Sequence, residues 1–416
     1  MDLRLLRTDP ERVAASMRQR GADVDLGALI DLDRRHRELI TDVDNRRAEL
    51  NRAQKAIGRL APEERAAAIA RNKQAGAELK SLEAELSEVA AEVDAALLQV
   101  PNLVHPDSPP GKADAELRKV GSPREFEFQP ADHLTLGEGL GIIDVKRAAK
   151  VSGSRFAFLR GKGALLELAL VRFVLDRLMA EGFEPVIPPV LVRQEAMYGT
   201  GFFPTDEAQV YKTADDDLYL AGTSEVPIAS MHSGEIFPAK DLPVRYAGIS
   251  TCFRREAGTY GKDTRGIIRV HQFDKVEMFS FCRPDESDEE HQRLLALEEG
   301  TFQALEIPYR LLDIAAGELA APNYRKFDIE AWLPGADRWL EVTSCSNDWD
   351  YQARRLQVRM KGESGTEPVH TLNGTAVAIG RAIVAILENH QQSDGSVSVP
   401  KALRPYTGFE VMEPRL

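Results

Sequence analysis

Arg254 and Glu256 stand two residues apart in the run FRREAGTYGKDTRGIIRVHQFDKVEM, residues 253–278. A loop rich in Gly and Lys/Arg follows them (Gly258, Gly261, Lys262, Arg265, Gly266), then an alternating stretch, Ile268 to Glu277, containing Phe273. This layout predicts two antiparallel strands joined by a basic loop. Its chemistry suits holding a nucleoside triphosphate while the α-phosphorus is attacked. A guanidinium cancels phosphate charge and can do so with two parallel hydrogen bonds. An aromatic offers a face to a base, and a basic loop can close over a polyanion. The same pattern also fits an ordinary hairpin with a solvated basic turn.

Three further groups of residues could do chemistry. In YLAGTSEVP, Thr223 and Glu225 stand two apart at a predicted strand end, where alternate side chains share a side. A carboxylate suits an ammonium group and a hydroxyl can help hold it, although many strand ends look like this. In WLEVTSCSNDWDYQARR, Glu341 and Ser344 are three apart, with Asn347 just beyond. A carboxylate and a hydroxyl suit Mg²⁺, a hard cation that keeps water and phosphate as partners. In TLNGTAVAIGRAIVAILEN, Arg381 sits early in an apolar helix predicted over 375–391, beside Gly374 and Gly380. A buried helix with a capping arginine reads the same way.

The elements that must position these groups fall into two kinds. Over 27–98, Leu29, Leu32, His36, Leu39, Val43, Arg46, Leu50, Ala53, Ile57 and Leu60, then Leu79, Leu82, Leu86, Val89, Val93 and Ala96, recur at steps of three and four. That is a coiled-coil spacing. Gly58 to Pro62 interrupts it, so an antiparallel hairpin is expected. Residues 46–80 carry nine Lys/Arg against four Asp/Glu, and the inner half (27–45 and 81–98) three against ten. A basic tip on an acidic stalk could grip a phosphate backbone; a solvated or dimerising coiled coil is the other reading. Residues 106–122, rich in Pro, Gly and Asp, read as a linker. From residue 123 short strands alternate with helices at 163–181 and 286–304, and strands predominate. The fold class expected is α+β, an antiparallel sheet flanked by helices, with domains at 1–105 and 123–416.

The chain has 416 residues, a net charge of −13, 43% hydrophobic and 29% charged residues. That composition is globular. Global acidity does not exclude a nucleic acid, because binding needs only a local basic surface. The three cysteines form no CxxC pair and the eight histidines no cluster, so no zinc is expected. The opening MDLRLLRTDPERV lacks an apolar signal core, and no run is long enough to span a membrane. A cytoplasmic protein is expected.

The 253–278 run resembles motif 2 of class II aminoacyl-tRNA synthetases, in detail that of the seryl-tRNA synthetase family, bacterial zinc-free type. EGFEPVIPPVLV resembles motif 1, with Pro189 as its proline, and TLNGTAVAIGRAIVAILEN resembles motif 3. TSCSNDWD and the C-terminal VPKALRPYTGFE are also similar to that family. The resemblance implies ATP-dependent activation of L-serine to seryl-adenylate and transfer to tRNA(Ser), and in some members tRNA(Sec). It implies Mg²⁺ with ATP, a homodimer built on motif 1, and an N-terminal arm that grips tRNA. Residue by residue, it places serine on Thr223, Ser224, Glu225, Arg254, Glu277 and Thr375, with Asn373 a further candidate. ATP falls to Arg254, Arg255, Glu256, Val270, Phe273, Glu341, Val342, Thr343, Ser344 and Arg381, and Mg²⁺ to Glu341 and Ser344. Arg254 and Arg381 are the implied catalytic residues. The alternative is a synthetase-like amino acid–carrier protein ligase, which would lack the long arm.

Overall fold

The computed structural model describes residues 2–258, 265–362 and 365–415. Two compact units appear, Met1–Leu103 and Val104–Leu416.

The first unit is helical. α1 (Leu3–Thr8) and α2 (Pro10–Arg20) precede the long α3 (Leu26–Ile57) and α4 (Pro62–Leu98). Asp9 caps α2 by accepting the Arg12 N–H at 3.1 Å, with Pro10 at the first helical position. The seam buries Leu29, Leu39 and Val43 with Leu79 and Val93, as the heptad spacing predicts, and also Ala68, which that spacing did not include. Arg46 and Ala53, expected on that seam, are exposed, so the contact thins toward the tip. Arg35–Glu85 (2.5 Å) and Arg47–Glu83 (2.6 Å) bridge the two helices. Such exposed pairs contribute roughly 0–1 kcal/mol each, so the apolar seam carries most of the stability. α1 is tied down by Arg7, whose guanidinium donates twice to the buried Asp33 of α3 (2.8 and 2.5 Å). These hydrogen bonds hold the Asp33 carboxyl below the usual range.

The second unit is built on an eight-stranded sheet. Its strands in chain order are β1 (Ala115–Val120), β2 (Glu184–Val186), β3 (Val244–Phe253), β4 (Gln272–Cys282), β5 (Tyr309–Asp313), β6 (Arg325–Leu333), β7 (Arg338–Asn347) and β8 (His370–Ala378). Their spatial order is β1-β5-β6-β7-β8-β4-β3-β2, antiparallel except for the β2–β3 pair. The proline-bearing run lies at one edge, as a strand with proline requires. At the other edge β1 falls inside 106–122, the segment expected to be a linker. Four of its six residues are exposed, so it lacks the apolar alternation that marks a strand.

Helices α5 (Lys162–Ala180), α7 (Ser287–Ala304) and α8 (Ile379–Asn389) share one core with the sheet, around Leu166, Phe302, Ile383, Val276, Met278 and Phe327. The helix expected over 375–391 begins only at Ile379, because Thr375–Ala378 complete β8. β-branched and small residues fit a pleated strand as well as a buried helix turn. The run from Ile268 likewise becomes a strand only at Gln272. Between α5 and α7 a short helix, α6 (Glu225–Met231), follows the turn at Thr223. Among the described residues no helix is long and apolar enough to cross a membrane.

Candidate active site

Strand alternation decides what the sheet presents. On β4, Val276 and Met278 enter the helical core, so Phe273, Lys275 and Glu277 face the other way. On β6, Phe327 and Ile329 enter the core and Lys326 faces away. That second face floors a cavity of about 400 Å³. Glu341, Val342, Thr343 and Ser344 of β7, Asn373 and Thr375 of β8, and Gly380 and Arg381 at the start of α8 complete the floor. Thr223, Arg254, Glu256 and Val270 line it from the loops, and Glu225 from the start of α6.

At one end the guanidinium groups dominate. Arg254 leaves β3 with its backbone N–H donated to the His271 carbonyl (3.0 Å). Its Nε donates to the Gly222 carbonyl at 3.1 Å, and its guanidinium lies 5.3 Å from the centre of the Phe273 ring. The chain turns at Glu256 with φ 49°, a left-handed conformation uncommon for a non-glycine residue. Glu256 Oε2 accepts from Arg269 at 2.9 Å. Arg381 Nη1 donates to the Glu341 carbonyl (2.8 Å) and to its Oε1 (3.1 Å). Burial pushes the Glu341 carboxyl up, but Arg381, Lys326 and Arg254 outweigh it and hold it low. Gly380 is a place for glycine: an added Cβ would lie 3.2 Å from the Ile267 carbonyl oxygen. Together these groups make a cationic end with a stacking surface, the chemistry a nucleoside triphosphate needs.

The other end is acidic and more deeply buried. Glu225 begins α6, and its Oε1 accepts the Gln352 amide at 2.7 Å. Burial, then Asp348 and Glu277, raise its carboxyl to about 8. Lys275 Nζ donates to Thr223 Oγ1 at 2.9 Å and pairs with Glu277. Burial still lifts the Glu277 carboxyl despite that lysine. Asp348 accepts from the amides of Asn323 (2.8 Å) and Asn373 (2.9 Å). A small polar molecule carrying an ammonium and a hydroxyl would find an acid for each.

Most residues singled out in the sequence thus surround one cavity. Ser224 and Arg255 do not line it. Ser224 is fully buried at the N-cap of α6, its hydroxyl donating to the Gly248 carbonyl at 3.4 Å. Arg255 points to solvent, its backbone N–H donated to the Gln209 carbonyl at 2.8 Å. Thr223 and Glu225 share the cavity through a turn and a helix start rather than the strand end expected. Gly261 and Lys262 of the basic loop lie outside the described residues. Sequence reasoning missed Lys275, Lys326 and the supporting Gln352. The signal for Lys275 was available: it stands two before Glu277 on a strand, hence on the same side.

Residues 209–390 match the tRNA synthetase class II core domain (G, H, P, S and T), and residues 1–104 the seryl-tRNA synthetase N-terminal domain. The serine–tRNA ligase of Thermobifida fusca is 54% identical over 418 residues, covering 100% of this chain and 99% of that one. Seryl-tRNA synthetase from Pyrococcus horikoshii complexed with ATP superposes with a TM-score of 0.94 at 42% identity, over the whole of both chains. The cytoplasmic serine–tRNA ligase from Naegleria fowleri in complex with AMP gives 0.89 at 33% identity, over 98% of this chain and 96% of its own. The sheet and its cavity are therefore the core of a class II aminoacyl-tRNA synthetase. Within that class, the chain belongs to the seryl-tRNA synthetase family.

Proposed function

We propose that this chain is a serine–tRNA ligase, which activates L-serine with ATP and transfers it to tRNA(Ser). The observation that carries the reading is the polarity of the cavity. One end gathers Arg254, Phe273 and Arg381, and the other the buried acids Glu225 and Glu277. Serine's ammonium lies on Glu225, its side-chain hydroxyl on Glu277 with Thr375 and Asn373 beside it, and its carboxylate near Arg254. The adenine stacks on Phe273, and its amino group reaches Glu256. The Val270 backbone and the Glu341–Ser344 segment complete the nucleotide site.

In the first step a serine carboxylate oxygen forms a bond to the α-phosphorus while the bond to the bridging oxygen of pyrophosphate breaks. In the second, the terminal ribose hydroxyl of the tRNA attacks the acyl carbon, loses its proton and releases AMP. No side chain forms a covalent bond. Arg254 and Arg381 act by position and charge, meeting negative charge as it builds at phosphorus.

Glu341, held ionised, and the Ser344 hydroxyl are oxygen donors suited to Mg²⁺. Among the described residues no group of three or more His, Cys, Asp or Glu could cage an ion. The donor set therefore fits an ion that arrives on the triphosphate and keeps phosphate and water ligands. When bound it would offset phosphate charge.

The basic-tipped hairpin is assigned to grip tRNA, and tRNA(Sec) falls within the same reading. A homodimer is supported by Leu165, Leu168, Met179 and Ile187, apolar side chains 48, 66, 41 and 83% exposed on α5 and beside β2. We place the protein in the cytoplasm, 1–105 as its tRNA-binding domain and 123–416 as its catalytic domain. The test is ATP–pyrophosphate exchange across all twenty amino acids without tRNA. Exchange with serine alone is expected; exchange with glycine or alanine instead would break the role of Glu277 and point to a carrier-protein ligase.

A further inference from the structure

Lys275 touches both halves of the amino-acid end. Its side chain is 7% exposed, so its charge is desolvated and must be paired. It is paired with Glu277, and it also donates to Thr223 Oγ1 at 2.9 Å. The Glu225 backbone N–H reaches the same oxygen at 3.2 Å. A hydroxyl has two lone pairs and one proton. With both lone pairs taken, Thr223 is left only a proton to donate, so it does not accept from an ammonium while Lys275 stays in place. Glu225 is differently placed. It takes a neutral amide from Gln352, its strongest electrostatic neighbours are the acids Asp348 and Glu277, and Lys275 acts on it more weakly than either acid.

We propose that Lys275 is a positioning and specificity-determining residue of the amino-acid pocket: by cancelling the charge of Glu277 it reserves that carboxylate for a neutral hydroxyl, and it leaves Glu225 as the acid that takes the substrate ammonium. The proposal rests on the serine-activation reading above. Without Lys275, Glu277 loses its ion-pair partner, and an amino acid with a second ammonium in place of the hydroxyl becomes the better match. Charge balance thus rejects a cationic side chain of serine's size, which pocket volume alone could not exclude. Glu277 still discriminates against alanine, because a buried acceptor is left unpaired when the hydroxyl is missing.

The test compares ATP–pyrophosphate exchange by wild type, Lys275→Met and Lys275→Arg with serine, alanine and 2,3-diaminopropionate. ATP binding without amino acid is measured alongside. For Lys275→Met the KM for serine is expected to rise by ~10²-fold, the scale of one charged hydrogen bond, with ATP affinity unchanged. The preference for serine over 2,3-diaminopropionate is expected to fall by ~10³-fold or more, since one substrate loses and the other gains a charged contact. Lys275→Arg keeps the wild-type order of substrates. A residue that only supports the fold would lower activity toward every substrate and produce no gain with the diamine. If Lys275→Met does not bind ATP, Lys275→Gln, which keeps length and a donor, carries the same comparison. An unchanged substrate order in an ATP-binding variant overturns the proposal. A wild-type protein that fails to exchange with serine instead overturns the activity on which it rests.

Discussion

Replacing Arg254 with alanine separates catalysis from folding. In the structure its Nε makes one hydrogen bond to the Gly222 carbonyl, and its guanidinium faces the Phe273 ring at 5.3 Å. A charged hydrogen bond is worth about 1.5–3 kcal/mol and a cation–π contact about 0.5–2 kcal/mol. Both groups border the cavity, where water can replace the lost donor, so a stability loss of about 2 kcal/mol is expected. The catalytic loss is larger. A guanidinium about 4 Å from a phosphate at an effective dielectric of about 20 contributes about 4 kcal/mol, and that charge grows during attack. A loss of about 4 kcal/mol is ~10³-fold in rate. Arg254→Lys keeps the charge but not the planar fork, so its rate is expected between the two. The assay is serine-dependent ATP–pyrophosphate exchange at saturating substrates, with melting temperature and ATP binding recorded on the same samples. Exchange within tenfold of wild type from folded Arg254→Ala would refute the role given to this residue.

Other consequences follow from particular contacts. Glu225, raised to about 8 from an ordinary 4.5, binds a proton in the folded empty protein that the unfolded chain lacks between those values. Its contribution to stability therefore falls as pH rises through that window. Because an ammonium wants the carboxylate, serine binding near pH 7 should release a proton, and the KM for serine should fall toward pH 8. Calorimetry in buffers of different ionisation enthalpy would show that release, and buffer-independent heats would contradict it. Arg245 donates twice to Glu290 at 2.6 Å, and Ser280 donates to the same carboxylate at 2.8 Å. Glu290→Ala strands a part-buried guanidinium and should cost about 3–5 kcal/mol in urea unfolding, whereas Arg245→Met with Glu290→Leu should cost far less. At Gly248 an added Cβ would meet Ile228 Cδ1 at 2.4 Å and Ser224 Oγ at 2.7 Å. Gly248→Ala should displace the start of α6, costing about 1–3 kcal/mol and raising the KM for serine, with ATP binding kept; an unchanged KM would show that α6 does not move.

Much of this was legible in the sequence, for physical reasons that also explain what was not. The strand Val244–Phe253 is read to the residue, because apolar alternation and a following Arg–Arg–Glu break bound it sharply. The hairpin arms follow from heptad spacing and Pro62. α1 and α2 are not legible in the sequence: they are short, and what fixes α1 is a long-range pair, Arg7 with Asp33, rather than local periodicity. The start of α8 was misplaced because Thr375–Ala378 suit a strand or a helix equally and only pairing with β4 decides. Lys275 is hard to read from sequence because a lysine in an alternating run ordinarily points to water; here the acids around it reverse that expectation. Gln352 and Asp348 act through Glu225 and Asn373, and nothing in sequence spacing links them to those partners.

The central claim is that the chain makes seryl-tRNA, and charging of total tRNA by the intact protein tests it most directly. With ATP, Mg²⁺ and labelled serine, label should accumulate on serine-accepting tRNAs and be released by mild base, as an ester is. Serine-dependent pyrophosphate exchange with no label on tRNA would contradict the account and place the acyl group on another acceptor.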